Sequence, residues 1–361
     1  NAHGGNVRIF LAGGLAYGNR TFNGSNFTCS GVILERWVGR GTGRPVLVRR
    51  NANSQESWTN DGSGTNTFYL THSVGATAVF DLLNKDPLGA YTRLPYAASL
   101  AECQATPGTC FWDSAATRMY VHPIDNRNLV GRWDMSVTTN GRILSHIATK
   151  NTVLWMKGID IIGGATSQMA TAGMTCKVYA QDCGFYGGDG SSSGAFAVTG
   201  PVDGRFIQCT FGGCVQDSFN VHGNSQGNAK ILEDRCHHTF SGYDATGTNN
   251  SDTYHEGCVG ISVNCTIYSS QNRVVHNINA SKTLYVRPLV QASLATDATA
   301  VTIAAGNGAT GHTAEIWIWG NGGIANSLTA GLYAFPGCAI RYANGDFSSL
   351  INGNGGGFVG A

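Results

Sequence analysis

Charged residues are scarce in this chain, and long apolar or basic runs are absent. Asp, Glu, Lys and Arg make up 12% of its 361 residues, about half of the ordinary share of roughly 25%. The formal net charge is +1, and no long Lys/Arg cluster supplies the attraction to phosphate that nucleic-acid binding requires. No apolar run reaches the roughly 18 residues of a membrane-spanning helix. The sequence therefore predicts neither a nucleic-acid partner nor a membrane partner.

The start of the chain and its cysteines also lack familiar signals. No basic segment followed by an apolar stretch comes after Asn1, and the start at Asn suggests a trimmed piece whose targeting segment has been removed. Eleven cysteines cannot all pair internally, and no CxxC pair has zinc-ribbon spacing. We expect most thiols to stay reduced, which favours folding in a reducing cytoplasm before the product works outside the cell or on a virion tail.

Glycine is abundant instead, with 50 of the 361 residues, about twice the ordinary share. Apolar residues make up 42%, which is enough to fill a large core, so the low charge does not indicate disorder. No Gly-X-Y period is present, which excludes a collagen-like chain.

A repeat occupies the middle of the chain. Four segments place a polar residue before a cysteine, after a strand-like run and before small residues. The repeated cysteines are Cys183, Cys209, Cys236 and Cys265. Stacked turns of one coil bring identical residue types together, and a buried cysteine packs as a small apolar side chain.

A second repeat runs beside the first. The segment Phe196–Gly200 matches Phe219–Gly223, and three histidines follow at comparable intervals: His222, His255 and His276. Periods in the twenties, with β-branched residues and glycine turns and without helical periodicity, predict an all-β, right-handed parallel β-helix.

The repeat also predicts the domain organisation. Residues 151–295 are expected to form regular coils that carry the active groove, and residues 296–361 further coils and a Gly-rich end. Residues 1–150 are expected to form an irregular β-rich region that caps or flanks the coil, with one short helix from Thr77 to Asn84.

Polar chemistry is concentrated between Asp217 and His276. If the second repeat is aligned through its histidines, they stack on consecutive turns, about 5 Å apart. Phe219, Asp252 and Arg273 then stack three positions earlier, so Asp252 is expected beside Arg273. An arginine keeps a neighbouring carboxylate ionised, whereas crowded carboxylates raise one pKa, so the two environments supply a base and an acid.

An inserted polar loop from Tyr243 to Ser251 is expected to wall one side of this groove and to add Asp244. A zinc site formed by His222, His255 and an acid is geometrically possible. The spacing matches no known metal motif, so we predict no metal and no cofactor.

These features resemble the pectate-lyase-like superfamily of right-handed β-helix proteins, and within it the polysaccharide depolymerases of bacteriophage tailspikes. The resemblance rests on the x-Cys-x-Phe turns at Cys183 and Cys209, on the segment Asp217–His222, and on Phe111–Ser114 leading to Met119–His122. It implies an enzyme that degrades a bacterial surface or capsular glycan, and a homotrimer.

The same segment is similar to the Tyr-Gly-Phe-Asp-Pro-His motif of alginate C5-epimerases. Phe219 and His222 match that motif, whereas Asp217, Asn220 and Val221 stand where it has Tyr, Asp and Pro. The missing Asp argues against an epimerase.

Two reactions fit the polar window. In glycoside hydrolysis, favoured slightly because Lys and Arg are scarce there, paired carboxylates act as acid and as base or nucleophile. In β-elimination from a uronic acid, a histidine removes the C5 proton and an arginine neutralises the sugar carboxylate. The candidate catalytic residues are Asp217, His222, Asp252, His255, Glu256 and Arg273. The candidate substrate-binding residues are Asp244, Tyr254, Asn220, His276 and Phe219. A spike that binds glycan without cleaving it is a further alternative, against which the clustered acids and histidines argue.

Overall fold

The computed structural model describes most of the chain. The described residues are 7–14, 16–18, 22–23, 30–48, 57–71, 78–132, 134–138, 144–148, 151–163, 166–170, 175–187, 194–242, 249–268, 270–294, 301–307, 313–320, 322–327, 330–351 and 357–360. Within them, strands dominate and helix is almost lacking, which confirms the predicted all-β class. No helix in these ranges is long and apolar enough to cross a bilayer.

Three parallel sheets form the body of the molecule, and strands are numbered here along the chain. Sheet A contains β1 Val7–Ala12, β4 Gly31–Trp37, β14 Thr152–Lys157, β17 Cys176–Gln181, β20 Val202–Ile207, β23 Lys230–Asp234, β26 Val259–Val263, β29 Lys282–Val286, β32 Glu315–Trp319, β34 Ala339–Ala343 and β35 Gly357–Gly360. Sheet B contains β2 Ala16–Gly18, β5 Val46–Val48, β15 Asp160–Ile162, β18 Gly184–Tyr186, β21 Thr210–Gly212, β24 His237–His238, β27 Thr266–Ile267 and β30 Leu289–Val290. Sheet C contains β3 Phe22–Asn23, β13 Leu144–Ala148, β16 Thr166–Ala170, β19 Phe196–Thr199, β22 Phe219–His222, β25 Asp252–Tyr254, β28 Val275–Asn277, β31 Val301–Ala305 and β33 Ala330–Ala334.

The sheets enclose the interior of the coil because the central turns visit A, B and C in that order. Each strand pairs in parallel with the equivalent strand of the next turn, as β20 does with β23 and β23 with β26. This arrangement confirms the predicted parallel β-helix.

The turn from sheet A to sheet B explains the cysteine repeat. Its polar residue lies in the left-handed region, with φ of 52–53° at Asp182, Gln208, Arg235 and Asn264. The next residue then points into the core, which places four cysteines in a fully buried stack: Cys183, Cys209, Cys236 and Cys265.

An insertion separates β5 from β13. It contains β6 Thr59–Asn60, β7 Phe68–Thr71, β8 Ala78–Lys85, β9 Tyr91–Arg93, α1 Leu100–Ala105, β10 Thr109–Asp113, β11 Arg118–His122 and β12 Met135–Thr138. These strands form two small antiparallel sheets. The insertion docks on sheet B, where the Tyr91 hydroxyl donates to Asp160 Oδ2 over 2.8 Å and Phe80 packs in a buried cluster with Tyr186.

Two expectations for the first 150 residues differ from the structure. β1 and β4 already belong to sheet A, so the coil begins well before residue 151 and the irregular part is an insertion within it. The predicted helix from Thr77 to Asn84 is wrong for its described residues, because they form strand β8. Its inward side chains pack against sheet B, and this packing outweighs local helix propensity. The helix that does form is α1, where Ser99 caps the N-terminus by accepting from the Glu102 amide over 3.1 Å.

Beyond residue 296, β31 to β35 continue sheets A and C. A second apolar core that includes Ile316, Leu332 and Ile340 fills these turns. A 3-10 turn at Ser348–Leu350 precedes the last strand. The tail Asn352–Gly357, interpreted from sequence as an edge or a linker, lies outside the described residues except for Gly357.

Candidate functional site

The outer face of sheet C carries several of the polar residues that the sequence predicts for the site. Side chains alternate between core and exterior along each strand. In β22, Phe219 points into the core, so Asn220 and His222 point outward. In β25, Asp252 pairs with Phe219 and also points inward, which confirms that these two residues stack and leaves Thr253 facing out.

His222 and His255 lie side by side at the end of these strands. Their rings stack with centroids 4.0 Å apart and an interplanar angle of 16°. This confirms the predicted stacking of the first two histidines.

His276 does not continue the stack, and this part of the alignment is wrong. Asp252 pairs with Val275, and Thr253 pairs with His276. The turn therefore spans 23 residues, as does the turn from Phe196 to Phe219, whereas alignment through the histidines assumed 21. The difference moves His276 and Arg273 two positions along the sheet, and Arg273 does not pair with Asp252.

Glu256 binds His222 and completes the accessible part of the site. Its Oε2 lies 2.9 Å from His222 Nδ1, and both side chains are partly exposed, at 41% and 35%. Glu256 has a φ of 46°, so its backbone is in the left-handed region. Burial raises the pKa of Glu256, but the hydrogen bond and charge of His222 outweigh burial and leave this pKa lowered. Glu256 is therefore an ionised acceptor.

His255 is the less exposed member of the stack, with 15% of its side chain accessible. Burial, and then the neighbouring His222, lower its pKa to about 4. Its Nε2 is buried and has no hydrogen-bond partner among the described residues. His255 is therefore a neutral imidazole near pH 7.

Arg273 and His276 lie on the next turn of the outer face, where His276 pairs with Thr253. Arg273 Nη1 lies 3.2 Å from His276 Nε2, and the guanidinium lies 5.3 Å from the ring centroid of Phe335. Burial, and then Arg273, lower the pKa of His276 to about 3. Burial also lowers the pKa of Arg273. In the described part of the chain no carboxylate forms an ion pair with Arg273, so this largely buried cation lacks a protein counter-ion.

Asp217 lies at the other end of β22. Its Oδ1 accepts from the backbone amide of Asn250 over 2.6 Å and from Asn250 Nδ2 over 3.3 Å. The side chain is largely buried, and burial raises the pKa of Asp217 to about 6. Asp217 is thus an acid that retains its proton more readily than an exposed aspartate does.

Three predicted site residues lie inside the coil, where glycan cannot contact them. Phe219, Asp252 and Tyr254 are at most 1% exposed. Phe219 packs in the aromatic core, and the Tyr254 hydroxyl donates to Glu233 Oε1 over 3.0 Å. The period-two alternation of β22 and β25 places them there, so their assignment to the groove is corrected. Asn220 faces out but is 9% exposed, and Asp244 lies outside the described residues.

Asn279 is a site residue that sequence reasoning missed. Its Nδ2 donates to Glu256 Oε1 over 3.3 Å, so Glu256 is held from both sides. Asn279 adopts a φ of 54°, which asparagine tolerates better than most residues. An asparagine just after a strand was the available signal.

The donor atoms of His222, His255 and Glu256 lie within 4.8 Å of one another. A metal ion would need lone pairs from both rings to converge on one point. The stacked, nearly parallel rings direct their lone pairs side by side instead. The arrangement suits proton transfer between neighbouring groups better than coordination of a shared ion.

No protein-family model and no curated protein matches the chain. A solved structure described as a glycoside hydrolase is similar to it, with 9% identity, a TM-score of 0.49, and coverage of 99% of this chain and 89% of that one. A second, the complex of XylC with xylose, has 8% identity and a TM-score of 0.48, and the match covers 98% of this chain and 64% of that one. At this level of similarity, neither structure bears on the chemistry of the site.

Proposed function

We propose that this protein cleaves an acidic polysaccharide, such as a bacterial surface or capsular glycan, on the outer face of sheet C. One observation carries the proposal: the His222–Glu256 pair lies on the same sheet face as Arg273, a largely buried cation without a protein counter-ion in the described chain. A base held by a carboxylate can remove a proton. A guanidinium with spare donors can bind a carboxylate of the substrate.

β-Elimination uses these groups directly. In the tautomer where Nδ1 donates to Glu256, the Nε2 lone pair of His222 is available to take the C5 proton of a uronic acid. The electron pair of the C5–H bond forms the C4–C5 double bond, and the C4–O bond breaks with its electrons on the leaving oxygen, which is then protonated. Arg273 would stabilise the negative charge that develops at the substrate carboxylate.

The neutral state of His255 fits this role. A protonated His222 ring would be repelled by a second imidazolium 4.0 Å away. Because the pKa of His255 is lowered to about 4, His222 can accept a proton beside it without that repulsion.

Glycoside hydrolysis is the second candidate, and the pKa values of two acids favour it. The raised pKa of Asp217 suits a proton donor, and the lowered pKa of Glu256 suits a base. In the strand register of sheet C, Asp217 and Glu256 lie six positions apart along the strand direction. Six extended residues span up to about 20 Å. The two carboxyl groups of a glycosidase lie about 5 to 9.5 Å apart. Arg273 lies at the same level as Asp217, so this spacing does not separate the two reactions. We rank elimination first because it alone uses the guanidinium of Arg273.

The reaction is tested by digesting uronate-containing polysaccharides while recording the ultraviolet absorbance of an unsaturated uronate and counting reducing ends. Elimination predicts that both signals rise together. New reducing ends without a rise in absorbance would show that the reaction is hydrolysis rather than elimination. Glycan binding in titration calorimetry, with both signals silent, would identify a spike that only binds. The homotrimer and the extracellular or virion location stay predictions, and sedimentation of the full chain tests the former.

A further inference from the structure

Three aromatic core positions become ionisable between two adjacent turns of the coil. One turn places a phenylalanine from each sheet in the core: Phe206 from A, Phe211 from B and Phe219 from C. The three rings touch one another, with centroids 4.7–5.5 Å apart. Together they fill the cross-section of the coil.

The next turn has three ionisable residues at the same register positions. Glu233 pairs with Phe206, His238 with Phe211, and Asp252 with Phe219. All three are fully buried. The turn after that places Ser262, Ile267 and Val275 at these positions. A polar layer of Glu233, His238 and Asp252, which we call the interior layer, thus replaces an aromatic one.

A tyrosine hydroxyl donates to each carboxylate of the interior layer. The Tyr254 hydroxyl donates to Glu233 Oε1 over 3.0 Å, and the Tyr285 hydroxyl donates to Asp252 Oδ2 over 2.7 Å. The other oxygen of Glu233 lies 2.6 Å from His238 Nε2. Two buried atoms, Asp252 Oδ1 and His238 Nδ1, have no partner among the described residues.

Within the interior layer, His238 already forms an ion pair with Glu233. Burial lowers the pKa of His238, but the charge of Glu233 outweighs burial and raises it to about 9. Asp252 forms no ion pair within the described ranges, and burial and then Glu233 raise its pKa to about 7. Buried charges are normally paired or bound to metal. A divalent cation with a neutral imidazole would balance both carboxylates.

We propose that the interior layer binds a divalent metal ion of the zinc class, with Glu233, His238 and Asp252 as ligands. One ligand atom from each residue lies within 4.8 Å of the others. Two ligands about 2.1 Å from one ion are at most about 4.2 Å apart, so the side chains would rotate to close around the ion, and the contact between Glu233 and His238 would open to admit it. The tyrosine hydroxyls would orient the ligating carboxylates, as groups behind a metal site commonly do.

Such an ion would link the three sheets within one turn. Asp252 lies on β25, the strand that ends one residue before His255. The metal would therefore stabilise the strand that supports His255. Because the ligands are fully buried, the ion would have to enter during folding and would resist removal from the native protein.

The test is metal analysis of the full chain produced in defined medium supplemented with Zn²⁺, after dialysis against EDTA. We expect about one zinc per chain in the wild type, and only traces in Asp252→Asn and His238→Gln. His222→Gln, in the surface cluster, should keep the metal of the wild type. Traces in the wild type after production with Zn²⁺, Co²⁺ or Mn²⁺, or full loss from His222→Gln alone, would overturn the proposal.

Protein produced with Co²⁺ gives a test that needs no variant to fold. Nitrogen and oxygen ligands predict visible d–d bands without a near-ultraviolet thiolate band. Glu233, Cys236 and Cys265 form another buried group of possible ligands. A strong thiolate-to-metal band would assign the ion to those cysteines and contradict binding by the interior layer.

Discussion

The imidazole ring of His222 stacks on that of His255 with centroids 4.0 Å apart. Only one of these rings is held by a carboxylate, since Glu256 lies 2.9 Å from His222 Nδ1 and 3.9 Å from His255 Nδ1. The two histidines therefore differ in environment although they occupy equivalent positions on adjacent turns. Burial, and then the neighbouring His222, lower the pKa of His255 and keep it neutral near pH 7; in the proposed elimination, His222 is the ring that takes the proton.

Replacement of Glu256 tests this division of roles. Glu256→Gln keeps the size of the side chain but removes the charge that stabilises a protonated His222. We expect the turnover rate on a cleavable glycan to fall by about 10²- to 10⁴-fold, the usual contribution of a positioned acid or base. Initial rates of double-bond formation and of reducing-end release measure the effect.

Glu315→Gln is the matched control, because Glu315 forms a surface ion pair with Lys282 on sheet A, away from the site. It should retain wild-type rates. If Glu256→Gln also retained them while circular dichroism showed an intact fold, the His222–Glu256 pair could not be the proton-transfer centre.

Replacement of Arg273 tests recognition of an acidic sugar. Hydrogen bonds to a charged group contribute about 1.5–3 kcal/mol, so Arg273→Gln should raise KM for a uronate-containing glycan roughly 10- to 100-fold. Arg341→Gln is the control, since Arg341 also lies over an aromatic ring, 5.2 Å from Trp317 on sheet A. Equal effects of the two substitutions would rule out a specific carboxylate contact at Arg273.

The sequence predicted the coil because its repeats are local and chemically simple. The polar residue before each repeated cysteine is in the left-handed region, as at Gln208, and the cysteine after it, such as Cys209, points into the core. Recurrence of this turn at a regular interval predicts that the turns stack. The same repeat correctly paired Phe219 with Asp252 and His222 with His255.

The rest of the site could not be read in the same way. Alignment through histidines fixed the wrong period at His276, because hydrogen-bond register, rather than residue identity, sets which residues pair. The sequence also suggested that Asp252 faces outward, because a charged residue is rarely buried. Its burial depends on Glu233, His238 and Tyr285, which come from other strands and become neighbours only in three dimensions. The insertion that ends at Thr138 carries no repeat, and its docking on sheet B rests on long-range contacts.

The cysteine stack predicts how the thiols react. All ten cysteines in the described part of the chain are buried, and only Cys29 lies outside it. Burial raises the pKa of Cys214 and of Cys258 to about 12, so their reactive thiolates are rare, and burial shields the other described thiols from reagents. We expect a colourimetric thiol reagent to label at most one cysteine in the native protein and all eleven after denaturation, with or without prior reduction. Rapid labelling of several native thiols, or a lower count without reduction, would contradict a buried, reduced stack.

Asp217 predicts a pH dependence of stability. Its pKa rises from 3.8 to about 6 on folding because the side chain is buried. The native state therefore binds the proton more tightly than the unfolded state. This contribution is fully present below about pH 4 and is lost as pH rises towards 6, with a total of about 3 kcal/mol. Asp217→Asn keeps an oxygen that can accept from the Asn250 amide but cannot ionise.

The melting temperature of Asp217→Asn should therefore exceed that of the wild type above pH 6 and match it near pH 4. Asp203→Asn, which changes an exposed carboxylate on sheet A, should follow the wild type across the range. A variant that is less stable than the wild type above pH 6, but not near pH 4, would mean that the carboxylate of Asp217 is needed in its ionised form to accept from the Asn250 amide. Loss of glycan cleavage in the stabilised Asp217→Asn variant would separate its stability from its activity and would favour hydrolysis, in which Asp217 donates the proton.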